Sequence, residues 1–172
     1  MEGLNRALSL SQQLAKRNLE YGNWSRLCYY RGNAYYHLFN LDYSGGKGER
    51  DYEYLQNSIY CFRAALIPEG LAEIERYEAC QIYVNLANQI SITGRIIEAI
   101  QYWDYALKID PNFSTAKGNK GIELSKYARL HYDEGHSYEL LRSGYIYIEE
   151  ALKDRELHPE QIKAFEFAKK KY

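Results

Sequence analysis

The stretch Gln81–Pro111, QIYVNLANQISITGRIIEAIQYWDYALKIDP, decides the fold class of this 172-residue chain. Its apolar side chains recur at offsets of three and four residues, which is the spacing of one helix face. The residues of the two faces are Tyr83, Leu86, Ala87 and Ile90, followed by Ala99, Trp103, Ala106 and Leu107. Thr93-Gly94 ends the first helix and Asp110-Pro111 ends the second. The stretch therefore predicts an antiparallel helical hairpin whose apolar surface needs neighbouring helices.

Helical spacing continues on both sides of this hairpin, and no stretch alternates with the period of two that a half-buried strand needs. The three prolines, at 68, 111 and 159, each follow a helical pattern that they cannot continue. Further helices are expected at 24–39 paired with 51–67, at 114–132 paired with 137–153, and at the flanks 2–21 and 159–171. We predict an all-α fold of about eight helices and no sheet.

The signature positions of the hairpin, from Tyr83 through Gly94 to Pro111, resemble a tetratricopeptide repeat, whose period is about 34 residues. The small residue Ala87 recurs at that period as Gly121. The resemblance implies one repeat domain over residues 1–172, an α-solenoid of three antiparallel helix pairs with capping helices. Its parts are a capping helix at 1–22, repeat 1 at 24–67 with a long loop at 40–50, repeat 2 at 71–110, repeat 3 at 112–154 and a capping helix at 158–172.

The outer repeats depart from this pattern. Gly32 fits the small position of repeat 1, whereas Lys117 and Lys120 occupy positions of repeat 3 at which large apolar side chains are expected. The run AKGNKGIELSKYARLHYDEGHS also resembles the repeat region of bacterial proteins that carry a HEPN-type ribonuclease domain. That second resemblance implies a regulatory or sensing role in a ribonuclease, toxin or phage-defence system.

Net charge, cysteine content and the distribution of apolar residues argue against several classes of function. A formal net charge of -1 and a pI near 6.4 give no field for binding phosphate backbones, so nucleic acid is an unlikely partner. The three cysteines, Cys28, Cys61 and Cys80, are too few for a disulfide framework and are predicted to be buried small hydrophobes. No secretory signal or membrane-spanning run is recognised, and we expect a cytoplasmic protein.

Three motifs of the sequence offer candidate catalytic or ligand-binding residues. Arg129 and His136 have the loose spacing of HEPN nucleases, and His131, Asp133 and His136 offer three metal ligands, but Gly135 interrupts the helix between them. A helix end and turn with local capping is the favoured interpretation. The glycines at 45–48 lack the P-loop spacing and favour a connector. We therefore predict no enzyme activity, no cofactor and no metal.

The repeat resemblance implies that the first helix of each pair lines a concave groove. The residues it assigns to this groove are Tyr29, Asn33, Tyr36, His37, Val84, Asn85, Asn88, Ser91, Asn119, Ile122 and Lys126. Asparagine amides and tyrosine rings suit an extended peptide. The alternative interpretation is that these residues form ordinary solvent-exposed surface. One subclass of these repeats binds a C-terminal carboxylate through lysine and asparagine side chains. This chain has the asparagines but lacks the basic residues, so that ligand is not predicted. The predicted function is non-enzymatic binding of a peptide or protein segment, with the partner and the oligomeric state left open.

Overall fold

The computed structural model describes residues 2–17, 19–41 and 49–171. Within these ranges all regular secondary structure is helical, which confirms the predicted all-α class. The helices are α1 (Glu2–Leu14), α2 (Tyr21–Leu41), α3 (Glu49–Ala65), α4 (Pro68–Glu73), α5 (Arg76–Ile92), α6 (Ile96–Ile109), α7 (Ser114–Ala128), α8 (Glu134–Ala151) and α9 (Pro159–Lys171). The short α4, which takes up residues 71–73 of the predicted second repeat, has no counterpart among the expected helices.

Helix ends follow local signals. Pro68 and Pro159 each begin a helix, because the first turn needs no N–H donor from proline and its fixed φ suits a helix. Gly94 lies just beyond α5 with φ of +80°, in the left-handed region that commonly ends helices. The Asp133 carboxylate accepts the His136 backbone N–H at 3.0 Å and caps α8.

The structure differs from the prediction at both ends of the long loop expected at 40–50. Helix α2 continues through Leu41 and α3 begins at Glu49, so the ends of the expected loop are helical. Residues 42–48, which include the glycines of the connector motif, lie outside the described residues.

Two compact units divide the chain, Met1–Gln89 and Ile90–Tyr172. In the first, α2 packs against α1, α3 and α4. Tyr29 contacts Phe62 and Tyr35 contacts Tyr54, with ring centroids 6.1 and 6.4 Å apart, so α2 and α3 are antiparallel. A methyl group at Gly32 would lie 2.6 Å from Phe62 Cε1, which shows how closely the two helices approach.

In the second unit α7 packs against α6, α8 and α9. Lys117 pairs with Glu150, whereas eight residues later Ser125 lies against Gly144, so α7 and α8 are antiparallel. A Cβ at Gly121 would lie 2.6 Å from the Gly144 carbonyl oxygen, so a side chain there would force the helices apart. A cluster of Ile148, Ala151, Leu157, Phe165 and Ala168 joins α8 to α9.

The three cysteines are free and buried on α2, α3 and α5, as predicted. Burial raises the pKa of Cys28 to about 11, so its thiol stays protonated at neutral pH. Among the described residues, no helix is long and apolar enough to cross a lipid bilayer.

Candidate partner-binding groove

Helices α2 and α5 of the first unit run parallel and in register. Arg26 bonds Glu78 and Asn33 bonds Asn85, and each pair is separated by 52 positions. The two contacts lie seven residues apart on each helix, which is two helical turns. A constant separation over two turns requires that the helices point the same way. We use the name α2–α5 groove for the candidate binding surface where the two helices adjoin, and we define it by Tyr29, Asn33, Tyr36, His37 and Asn85.

An amide pair lies at the centre of the groove. Asn85 Nδ2 donates to Asn33 Oδ1 at 3.0 Å and makes a longer contact of 3.5 Å with the Tyr29 hydroxyl. The Tyr29 ring packs against the buried cluster of Cys28, Ala65 and Ile82. All three groove side chains are half-buried. The core therefore positions the tyrosine ring, while its hydroxyl reaches the polar amide pair.

An ion pair lies two turns before the amide pair. Arg26 Nε donates to Glu78 Oε1 at 3.1 Å, and Arg26 Nη2 donates to Glu78 Oε2 at 3.0 Å. The hydrogen bond from Arg26 lowers the pKa of Glu78. Sequence reasoning missed this pair, although Arg26 and Asn33 share a face, as do Glu78 and Asn85. Two N–H donors of Arg26 thus pair with the two carboxylate oxygens of Glu78.

The remaining predicted groove residues of the first unit differ in how far their side chains are exposed to solvent. Tyr36 is half-buried, His37 is exposed, and their rings are 6.1 Å apart. Asn88 is half-buried. Val84, in contrast, is only 2% exposed, so its side chain belongs to the interior and cannot contact a partner in this structure. Adjacent helix positions point about 100° apart, which is why Val84 is buried beside the accessible Asn85.

Two of the four predicted groove residues of the second unit make contacts within that unit. Ile122 packs against the α8–α9 cluster, so it contributes to the core. Lys126 Nζ contacts Glu123 Oε2 at 2.9 Å within α7. Ser91 and Asn119 are half-buried. The structure thus brings Tyr29, Asn33 and Asn85 together in the first unit, whereas Ile122 serves packing in the second.

Lys117 and Lys120, which depart from the repeat pattern, have polar partners on neighbouring helices. Lys120 is 8% exposed, and its Nζ contacts Asp104 Oδ1 at 2.5 Å and the Tyr147 hydroxyl at 3.0 Å. Burial opposes its charged form, but these hydrogen bonds outweigh burial and raise the pKa of Lys120. Lys117 Nζ contacts Glu150 Oε2 at 2.8 Å. Charge pairing replaces the apolar contacts expected at both positions.

The segment from Arg129 to His136 is a helix end and turn. Besides capping α8, Asp133 lies 3.4 Å from His136 Nδ1, and the His136 backbone N–H is the main cause that lowers the pKa of Asp133. Arg129 Nη2 contacts the Lys171 carbonyl at 3.5 Å on α9. In the described part of the chain, no group of three or more His, Cys, Asp or Glu side chains is arranged to hold a metal ion.

A surface cavity of about 560 Å³ lies beside α7 and α8. Leu107, Pro111, Lys117, Tyr147 and Glu150 contribute to its lining. None of these residues belongs to the predicted groove. Lys117 and Glu150 form an ion pair with each other in the wall of this cavity.

Comparison of the sequence with models of known protein families gives no match, and comparison with curated proteins gives none either.

Proposed function

We propose that this chain is a non-enzymatic interaction module of the tetratricopeptide type, an α-solenoid of three helix pairs with capping helices, which binds a protein segment in the α2–α5 groove. The observation that carries the proposal is the Asn33–Asn85 amide pair between two parallel helices. This pair places hydrogen-bonding groups from α2 and from α5, which are distant in sequence, on one surface. The proposed binding site lies in the first unit alone.

A recurring three-helix arrangement supports the repeat assignment. In the first unit, α2 and α3 are antiparallel and α5 is parallel to α2. In the second, α7 and α8 are antiparallel, and α9 runs parallel to α7, because Thr115 contacts Gln161 and Gly118 approaches Phe165. An antiparallel pair followed by a helix parallel to the first is the arrangement expected when helical hairpins stack.

The close approaches at two glycines agree with the same assignment. Gly32 and Gly121 were both predicted at the small position of a repeat. Gly32 lies against Phe62 on α3, and Gly121 lies against Gly144 on α8. In each unit, the absence of a side chain lets the first helix approach the second.

The chemistry of the groove favours a protein segment as the ligand. Asparagine amides can donate to and accept from a peptide backbone, and tyrosine rings give contact area at a small entropic cost. The Arg26–Glu78 pair neutralises both of its charges. The central contacts of the groove join uncharged amide and hydroxyl groups, which suit peptide groups better than phosphates.

A peptide-binding experiment tests the proposal. The full chain is screened against a library of short fluorescent peptides, and the hits are titrated by fluorescence anisotropy against wild type and an Asn33→Ala/Asn85→Ala double variant. We expect affinity to fall at least about tenfold in the double variant, because hot-spot truncations commonly cost 1–2 kcal/mol each. Tyr60→Ala, on the exposed surface of α3, is the matched control and should bind normally.

Two results would contradict the proposal. One is a hit that binds wild type and the double variant equally while Tyr60→Ala abolishes its binding. The other is the absence of any peptide whose affinity depends on Asn33 or Asn85. Thermal unfolding of each variant, followed by circular dichroism, shows whether a loss of binding reflects loss of the fold.

A further inference from the structure

The surface cavity of the second unit lies between the end of α6, the α6–α7 turn, α7 and α8, and we name it the α7–α8 cavity. Helix α8 lines it with Ser143, Tyr147 and Glu150, whose offsets of four and seven residues place them on one helix face. Its volume of about 560 Å³ is in the range of pockets that bind small molecules. A small ligand therefore fits this cavity.

One ion pair supplies the charges of the cavity. Among the described residues that line it, the charged ones are Lys117 and Glu150. Lys117 Nζ lies 2.8 Å from Glu150 Oε2, and the hydrogen bond from Lys117 lowers the pKa of Glu150, so the carboxylate is ionised at neutral pH. An ammonium group has three N–H donors and a carboxylate has several acceptor positions. Each member of the pair can therefore bind a further opposite charge while the pair stays intact.

Apolar surface lies beside the ion pair. Leu107, Pro111 and Ile146 line the α7–α8 cavity, and Ile146 is 45% exposed. A second cavity of about 570 Å³ shares Lys117 and Glu150 with the first. Its remaining lining residues are polar or charged: Asn112, Ser114, Lys153 and Asp154. A ligand that has an apolar group and binds the ion pair is therefore better accommodated in the α7–α8 cavity.

The dimensions of the ion pair match those of one class of ligand. In a free α-amino acid, standard bond lengths place the ammonium nitrogen about 2.7 Å from the nearer carboxylate oxygen. The Lys117–Glu150 contact is 2.8 Å. With the ligand carboxylate beside Lys117 and the ligand ammonium beside Glu150, four charges of alternating sign form a square. A ligand with one charge has a like-charged neighbour in the pair, so the balanced lining favours a zwitterion.

We propose that the α7–α8 cavity binds a free α-amino acid with an apolar side chain. Lys117 binds its carboxylate, Glu150 binds its ammonium group, and the side chain covers the surface of Leu107, Pro111 and Ile146. A peptide does not replace this ligand, because neither of its ends carries both charged groups on one residue. The site lies within the second unit and goes beyond the proposed peptide-binding function.

The first test varies the ligand. The full chain is titrated with L-leucine by isothermal titration calorimetry, and then with three analogues. N-Acetyl-L-leucine lacks the ammonium charge, L-leucinamide lacks the carboxylate, and L-serine lacks the apolar side chain. We expect L-leucine to bind, and each analogue to bind at least about tenfold more weakly.

The second test varies the protein. Lys117→Met and Glu150→Gln each remove one charge and keep a side chain of similar length, and each should weaken L-leucine binding at least about tenfold. Lys163→Met and Glu166→Gln make the same changes at exposed positions of α9 and are the matched controls. Both controls should bind L-leucine as wild type does. Thermal unfolding of each variant without ligand shows whether the fold is retained.

Three results would overturn the inference. They are no binding of L-leucine to wild type in the millimolar range, equal binding of L-leucine and its two singly charged analogues, and unchanged binding in folded Lys117→Met and Glu150→Gln. Because the analogues are tested on wild type, they decide the matter even where a variant unfolds. Such a failure leaves peptide binding in the α2–α5 groove as a separate question, since none of the lining residues belongs to that groove.

Discussion

Asn85 on α5 donates a side-chain hydrogen bond to Asn33 on α2 at 3.0 Å, and the same separation of 52 positions joins Glu78 to Arg26 two turns earlier. Two chain segments that are distant in sequence are thereby held parallel and in register. The amide contact also orients the two side chains, since Asn33 Oδ1 accepts the hydrogen bond from Asn85 Nδ2. The register of these helices and the hydrogen-bonding character of the groove therefore have one structural origin.

We expect the Glu78 carboxylate to make the first unit sensitive to acid. Arg26 lowers the folded-state pKa of Glu78, so its contribution to stability is present above the unfolded pKa and is lost as pH falls through the folded pKa. We expect Glu78→Gln to lower the free energy of unfolding at neutral pH. The difference from wild type should shrink below the ordinary glutamate range. Urea unfolding of both proteins at several pH values measures this, and a difference independent of pH would contradict it.

Gly121 is expected to tolerate no side chain. In Gly121→Ala the new Cβ would meet the Gly144 carbonyl oxygen, which is backbone and cannot rotate away, so α7 and α8 must separate. We expect a loss of about 1–3 kcal/mol in the free energy of unfolding. Gly3→Ala is the control, because nothing lies within 4 Å of a Cβ at Gly3 and alanine favours the helix. Equal stability of the two variants would show that the α7–α8 approach is looser than described.

Lys120 should be replaceable by an apolar side chain of similar length. Lys120→Met removes the charge but keeps the packing, and Asp104 is exposed enough to be hydrated. We expect its stability to lie within about 1 kcal/mol of wild type, because exchanging a buried ion pair for good packing is often neutral. Lys120→Ala also loses the packed stem and should be about 2 kcal/mol less stable than Lys120→Met. Equal losses in the two variants would mean that the charge, not the stem, stabilises this position.

The turn before α8 is expected to perform no catalysis. This expectation extends the non-enzymatic proposal to the turn, in which Asp133 caps α8 and lies 3.4 Å from His136 Nδ1. We expect incubation of the purified chain with labelled RNA to leave the RNA intact, and His136→Ala to behave the same way. Cleavage by wild type that disappears in His136→Ala would contradict the non-enzymatic proposal and favour the ribonuclease alternative.

Local sequence signals determined the fold class and several helix ends. The offsets of three and four residues between apolar side chains specify a helix face, and proline and glycine act on the backbone within one turn. Helix α6 accordingly ends at Ile109, before Asp110-Pro111, and α5 ends at Ile92, before Gly94. The prediction that Tyr29, Asn33 and Asn85 share one groove came from the resemblance to tetratricopeptide repeats, and not from the helical period.

Only the tertiary structure decided which residues those helix faces meet. It buried Val84 and left Asn85 accessible, gave Lys120 its partners Asp104 and Tyr147, and joined Asn33 to Asn85. It also assigned Ile122 to the core instead of the groove. Helical periodicity specifies which side chains share a face, but it carries no information on which distant helix covers that face, because such contacts depend on packing in three dimensions.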